Sequence, residues 1–308
     1  MEELLRHGLT FVKDIYDIIT DFESVPAEPL ALATLVRVQG SSYRRPGARM
    51  LISLDRRTVG SLSGGCLEEE VTERAREVLR TGRPSLMTFD TRRRFGCNGA
   101  LEILVERVRD DFLTGLSSHH HARRRCQIAT GFSTGSRIVT QANEINDGDL
   151  IQEIEPCLQL LVIGDGPDSA ALCGMANILG WLVQDKDCAS ELADSYDPWT
   201  AAIVKTHNYG RDFAALRALL AMDLRYVGLM GPRARREQLL GDLLDTGIEP
   251  KPNLFAPAGL DLGESSPEAI ALAIVAEIQA VFGGGSGQPL RERRAPIHGA
   301  ETAGAVAS

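Results

Sequence analysis

Ser63-Gly64-Gly65-Cys66-Leu67-Glu68 sets a cysteine directly behind two glycines and in front of a helical run. Glycine has no Cβ, so it lets the chain turn sharply and lets a ligand approach the main chain. A thiol at the mouth of a helix can be shifted toward thiolate, the form that attacks or binds metal. Thirty-one residues later a second cysteine sits in similar packaging, Gly96-Cys97-Asn98-Gly99. Two such thiols point to a small-molecule or sulfur-handling site. A helix dipole contributes only about 0.3–1 kcal/mol, against about 1.4 kcal/mol for one pKa unit. The dipole alone therefore does not ionise Cys66 at neutral pH, and Glu68, Glu69 and Glu70 oppose it. A reactive Cys66 needs Arg45 or Arg49 beside it, or a metal. The plainer alternative is a small apolar side chain at a tight helix start.

Upstream, Gly40-Ser41-Ser42-Tyr43-Arg44-Arg45-Pro46-Gly47-Ala48-Arg49 combines small residues, hydroxyls and cations. Such a loop suits an anionic ligand held near Gly64-Gly65-Cys66. In the second half, Gly164-x-Gly166-x-x-Ser169 stands where a dinucleotide fingerprint belongs, and Asp185 follows Gly164 by 21 residues, as the ribose-binding acid would. The third glycine is missing. Asp168 places negative charge where a helix N-terminus would otherwise hold phosphate. Nucleotide binding and a Rossmann domain used only for assembly both stay open. His207 follows Thr206 at the carboxyl end of an apolar run, where ligands bind in doubly wound sheets; a satisfied, partly buried histidine is the alternative. Arg233, Arg235 and Arg236 either clamp phosphate or coat a helix.

The elements that must position these residues follow from apolar spacing. Leu4, Leu5, Val12, Ile15, Ile18, Ile19 and Phe22 recur at helical intervals. Ala31 to Val38 reads as a buried strand, and Arg49 to Leu54 with Thr58 to Leu62 as a hairpin. Leu67, Val71, Ala75, Val78 and Leu79 make a helix stripe that Gly82 closes. Strands are expected at 86–89, 101–106, 127–129 and 137–140. Ser117 to Arg125, with His119-His120-His121, reads as an exposed connection in which the imidazoles do not converge on a metal. After Pro156 the continuous apolar run 158–163, a helix through Leu179, and a strand from Trp181 to Asp185 make a βαβ start. A strand at 201–204, helices over 213–220 and 267–282, and a strand and turn at 226–231 complete the second half.

The 308 residues exceed the usual single-domain size, and the reading divides them into 1–156, 157–283 and a disordered tail 284–308 poor in apolar residues. The fold class is α/β: a mixed-sheet first domain, then a Rossmann-like doubly wound parallel sheet. A net charge of -9 argues against nucleic acid or acidic membrane as partners. Six cysteines without a CxxC pair, no signal-peptide pattern and no long apolar run point to reduced thiols in a cytoplasmic protein.

Together these blocks resemble the xanthine dehydrogenase accessory family (XdhC/CoxI), whose members serve the maturation of molybdenum hydroxylases. The resemblance is carried by Gly40-Ser41-Ser42, Arg45-Pro46-Gly47-Ala48-Arg49-Met50, Gly60 to Glu68, and the glycine-flanked Cys97. Thr206-His207, Asp212, 226–231, 257–263, Pro267-Glu268 and Ala276-Glu277 extend it, so it runs to about Phe282. Pro167 and Ser169 stand where the family has a histidine and the third glycine.

The resemblance implies a chaperone that binds the molybdenum cofactor, in its plain or dinucleotide form. It would help a cysteine desulfurase add the sulfido ligand, then hand the cofactor to an apo molybdenum hydroxylase. Cys66 would meet molybdenum, with Cys97 as helper. Arg45, Arg49 and the Gly40-Ser41-Ser42 backbone would hold the pterin phosphate beside Gly64 and Gly65. Gly164, Gly166, Asp185 and His207 would bind a nucleotide extension or supply a partner surface. A homodimer is expected. Two other readings are an NAD(P)-dependent oxidoreductase with His207 as proton donor, and a bridge between hydroxylase and desulfurase.

Overall fold

The computed structural model describes residues 13–24, 28–40, 42–90, 99–263 and 265–292, which fall into two compact units dividing at Pro156/Cys157. The expected opening helix is present as α1 (Lys13–Ser24), which buries Ile15, Tyr16, Ile18 and Ile19. Its first expected residues, including Leu4 and Leu5, lie outside the described residues.

The first unit is built on strands β1 (Ala31–Gly40), β2 (Arg49–Ile52), β3 (Thr58–Gly60), β4 (Ser85–Asp90) and β5 (Gly99–Arg107), in the order β3-β2-β1-β5-β4. Every pairing is antiparallel, which corrects the expectation of a mixed sheet. The reason is topological. Helix α2 (Glu68–Thr81) links β3 to β4, and these run the same way but occupy opposite edges, so they never pair. The expected stripe of α2 (Val71, Ala75, Val78, Leu79) packs into the core with Ala33, Leu35, Met50 and Ile103. Gly82 closes the helix in the left-handed conformation that glycine favours.

Of the 117–125 stretch, only residues 122–125 form the expected connection. Asp110–His121 is a helix, α3, that buries Phe112, Leu113 and Leu116. Three polar histidines at its end hid that periodicity. A second sheet, β7 (Gly135–Val139), β6 (Cys126–Gly131) and β8 (Leu150–Ile154), completes the unit.

In the second unit, β9 (Gln159–Ile163), β10 (Leu182–Lys186), β11 (Thr200–Val204), β12 (Tyr226–Leu229) and β13 (Leu254–Phe255) form a parallel sheet ordered β10-β9-β11-β12-β13. Leu161, Ile163, Ala202, Val204, Val227 and Leu229 pack with α5 (Tyr209–Ala221) and α6 (Arg233–Asp245). Residues at alternate positions, Leu160, Val162, Ala201 and Ile203, are equally buried. Helices α4 (Pro167–Ile178) and α7 (Pro267–Gly283) pack against each other. The continuous apolar strands are thus those of a sheet covered on both faces. Beyond α7, residues 284–292 include a short 3-10 turn (Leu290–Glu292), which the tail's composition did not foreshadow; residues 293–308 lie outside the description. Among the described residues, no helix is long and apolar enough to cross a membrane.

Candidate functional site

Strand register sets where the glycine-rich segments of the first unit leave its sheet. Gly40 at the end of β1 pairs with Gly99 at the start of β5, and Asp90 at the end of β4 pairs with Ala100. Antiparallel to β2, β3 ends at Gly60 opposite Met50, which itself faces Ala33, so β3 points the same way as β1 but stops seven residues below Gly40. The loop after Gly40 and the loop carrying Cys66 therefore leave their strands in the same direction, from different levels of the sheet. Ser41 and Cys97 lie outside the described residues.

The Cys66 loop has a definite architecture. Gly60 has φ +86°, and a Cβ there would lie 2.3 Å from the Arg49 carbonyl oxygen, so only glycine fits the exit from β3. Leu62 and Leu67 are buried anchors on either side of exposed Gly64, Gly65 and Cys66. Between the anchors Glu68 bends back under the loop. Its Oε1 accepts from the Leu62 and Ser63 amides at 3.2 and 2.8 Å. Its Oε2 accepts from Ser63 Oγ at 2.6 Å and the Leu67 amide at 3.0 Å. Ser63 Oγ in turn accepts from the Gly65 and Cys66 amides at 3.2 and 3.1 Å. Burial alone would push the Glu68 carboxyl up, but the bonds from Ser63 and the backbone amides outweigh it and hold the group below its ordinary value. The three successive glutamates read as charges set against Cys66; one of them instead fixes the loop that presents it. A Cβ at Gly64 or Gly65 would meet nothing within 4 Å, so the loop's outer side is open.

The two arginines expected beside Cys66 differ in placement. Arg45 is half-buried in the loop after Gly40, with Ser42 similarly half-buried and Tyr43 exposed; Arg44 pairs with Asp14. Arg49 corrects its expectation, because it is fully buried and turned inward. It donates to the Gly47 carbonyl at 3.0 Å, to Thr130 Oγ1 at 3.3 Å, and to Gln152. Thr130 meets Ser136, which donates to Glu106 at 2.7 Å. Burial lowers the Arg49 guanidinium to about 10, against the attraction of Glu106, and burial raises Glu106 despite its bonds from Ser136. Arg49 is an internal tie between the two sheets, so it can neither activate Cys66 nor meet a phosphate at the surface.

In the second unit the strand order reverses between β9 and β11, and ligands of doubly wound sheets bind outside the carboxyl ends at such a point. Gly164, Gly166 and His207 all lie there. A Cβ on Gly164 (φ +107°) would come within 2.6 Å of Thr206 Cα, so this glycine is required by chain packing. His207 is exposed with φ 54°, unusual for a residue other than glycine. The buried Asp212 holds its turn by accepting from the Thr206 amide and hydroxyl at 3.1 and 2.5 Å, and also receives Arg235. Asp185, exposed on β10, accepts from Cys173 Sγ at 3.6 Å. Burial and then Asp185 push that thiol up. Lys205 was not foreseen. It closes the apolar run of β11 with a side chain fully removed from solvent, and bonds Asp165, Asp168 and Ser169. Its one signal was a charge directly after Ala201-Ala202-Ile203-Val204. Among the described residues, no three His, Cys, Asp or Glu side chains gather as a metal site.

Two family models match the chain: the XdhC and CoxI family over residues 26–90, and the XdhC Rossmann domain over residues 160–278. Together they take in more than half of it. The chain belongs to the XdhC and CoxI family. Among curated relatives, it is 29% identical to a probable xanthine dehydrogenase subunit of Bacillus subtilis, over 82% of this chain and 92% of that protein. It is 24% identical to the molybdenum cofactor insertion chaperone PaoD of Escherichia coli, over 81% of this chain and 82% of that one. Among solved structures, a Bacillus halodurans protein described as a xanthine dehydrogenase superposes with a TM-score of 0.71 at 22% identity, over 94% of this chain and 99% of that one. That likeness establishes the two-part α/β fold.

Proposed function

We propose that this XdhC/CoxI-family chain is an accessory protein that carries the molybdenum cofactor to an apo molybdenum hydroxylase. The observation that carries the reading is the Ser63–Cys66 loop: an exposed thiol on two open glycines, pinned from beneath by Glu68, following a strand that points the same way as the one leading into the Ser42–Arg45 loop. The cofactor is cargo here. Its soft molybdenum–sulfur centre suits a thiolate, and its phosphate suits backbone amides and a guanidinium. Cys66 takes the molybdenum end. Gly40, Ser42 and Arg45 take the phosphate, with Ser41 and Cys97 as further members of the set. The printed name of the Escherichia coli relative supports cofactor insertion as the task.

In this reading a cysteine desulfurase supplies the sulfido ligand before transfer, and the protein works as a homodimer in the cytoplasm. Co-purification with the desulfurase and light scattering test those two points. The central test is the molybdenum and pterin content of protein purified from cells with an active cofactor pathway. Wild type is expected to carry both in near-equimolar amount. Cys66→Ala is expected to lose molybdenum while keeping its circular dichroism and melting profile. Full molybdenum occupancy in that variant refutes the assignment.

A further inference from the structure

The turn between β9 and α4 has the outline of a phosphate loop but an unusual occupant. Gly166 has φ +133° and caps α4, which opens on Pro167, a residue with no amide hydrogen, and whose Ser169 amide donates to the Gly166 carbonyl at 3.1 Å. In a dinucleotide fingerprint the second glycine lets a pyrophosphate approach the backbone at this place. Here Asp168 Oδ1 lies 3.0 Å from where a Cβ of Gly166 would be, with Lys205 Nζ at 3.4 Å and His207 Nε2 at 3.7 Å from the same point. The chain's own carboxylate fills the position.

Lys205 is committed as well. An ammonium has three protons to donate, and three acceptors surround this one: the Asp165 carbonyl at 2.7 Å, Ser169 Oγ at 2.7 Å and Asp168 Oδ1 at 3.1 Å. The side chain is fully buried, and a buried cation is tolerated when it is paired and hydrogen-bonded in this way. An arriving phosphate would find no free donor on Lys205 and would meet the charge of Asp168.

We propose that Asp168 is an internal substitute for phosphate, a specificity residue that closes this turn to ligands bearing a pyrophosphate, dinucleotides included. Lys205 is the cation of this anion seat, and Asp168 holds it. The proposal concerns the second unit alone and is independent of what the Cys66 loop carries.

Calorimetric titration of the full-length protein with NADH and with inorganic pyrophosphate tests it. Wild type is expected to bind neither at millimolar concentration. Asp168→Ser frees Lys205 and is expected to bind pyrophosphate at least about tenfold more tightly, the value of one charge-assisted hydrogen bond regained. The double variant Asp168→Ser with Lys205→Met is expected to lose that gain. Asp168→Asn keeps the side chain's shape while removing its charge, and gives the same reading if the serine variant does not fold. Micromolar binding of NADH or pyrophosphate by wild type overturns the proposal, and that measurement needs no variant. So does a folded Asp168→Ser protein with no gain.

Discussion

Replacing Glu68 by alanine tests how the Cys66 loop is held. The carboxylate accepts four hydrogen bonds, from the Leu62, Ser63 and Leu67 amides and from the Ser63 hydroxyl. Bonds to a charged acceptor reach about 1.5–3 kcal/mol each when dry. This group is half-buried and water competes for it, so about 0.5 kcal/mol per bond is the better figure. The sum is a loss of about 2 kcal/mol, which lowers the melting temperature of the first unit by roughly 4–8 °C. Both tryptophans, Trp181 and Trp199, lie in the second unit. Their fluorescence therefore serves as an internal control while calorimetry or far-UV circular dichroism follows the first.

The effect must depend on pH with a definite sign. Because the folded-state value of Glu68 is depressed from the ordinary 4.5, its contribution is fully present above 4.5 and is lost as pH falls through the lowered value. The gap between wild type and variant should be widest near neutrality and shrink in acid. A neutral-pH difference under about 0.5 kcal/mol, the range of an ordinary surface substitution, would show that the loop does not depend on this carboxylate.

Three further outcomes follow from the same geometry. Gly60→Ala drives a Cβ to 2.3 Å from the Arg49 carbonyl at a φ of +86° and should cost about 3 kcal/mol or abolish folding of the first unit, read by urea titration. Arg49→Met leaves Thr130, Gln152 and the buried Glu106 without their cation and should destabilise the same unit by about 3 kcal/mol, measured the same way. Brief iodoacetamide treatment at neutral pH, mapped by mass spectrometry, should label exposed Cys66 and spare buried Cys126 and Cys157; burial also raises the Cys126 thiol to about 11, against the pull of Arg49.

Legibility in the sequence followed the range of the interaction. The α2 stripe, the β9 and β11 runs and the βαβ start at Leu158 are local patterns of period or hydrophobicity, and they reappear in the structure. Sheet polarity was not local: whether β3 and β4 pair depends on which edges α2 connects. Helix α3 was missed because its last turn is Ser-Ser-His-His-His while its apolar residues stop at Leu116. At the site, the glycines around Cys66 announced a tight loop. That Arg49 turns inward while Glu68 turns back was invisible, since both choices depend on partners elsewhere in space or on rotamers. Lys205 and Asp168 lie 37 positions apart, and only the parallel register of β9 and β11 brings them together.

The Arg49–Thr130–Ser136–Glu106 tie has a consequence for how the first unit can open. Prising the five-stranded sheet from the three-stranded one would strand a guanidinium and a carboxyl in a poorly solvated gap before water could fill it. Partial separation should therefore be scarce, and the amides of β1, β2 and β6 should exchange with deuterium through one shared opening event. By contrast, the Ser63–Cys66 segment hangs from a single carboxylate and two leucine anchors, and can loosen without engaging that cooperative block. Under the proposed carrier role, release from the Cys66 loop would then proceed by loop breathing over a static platform.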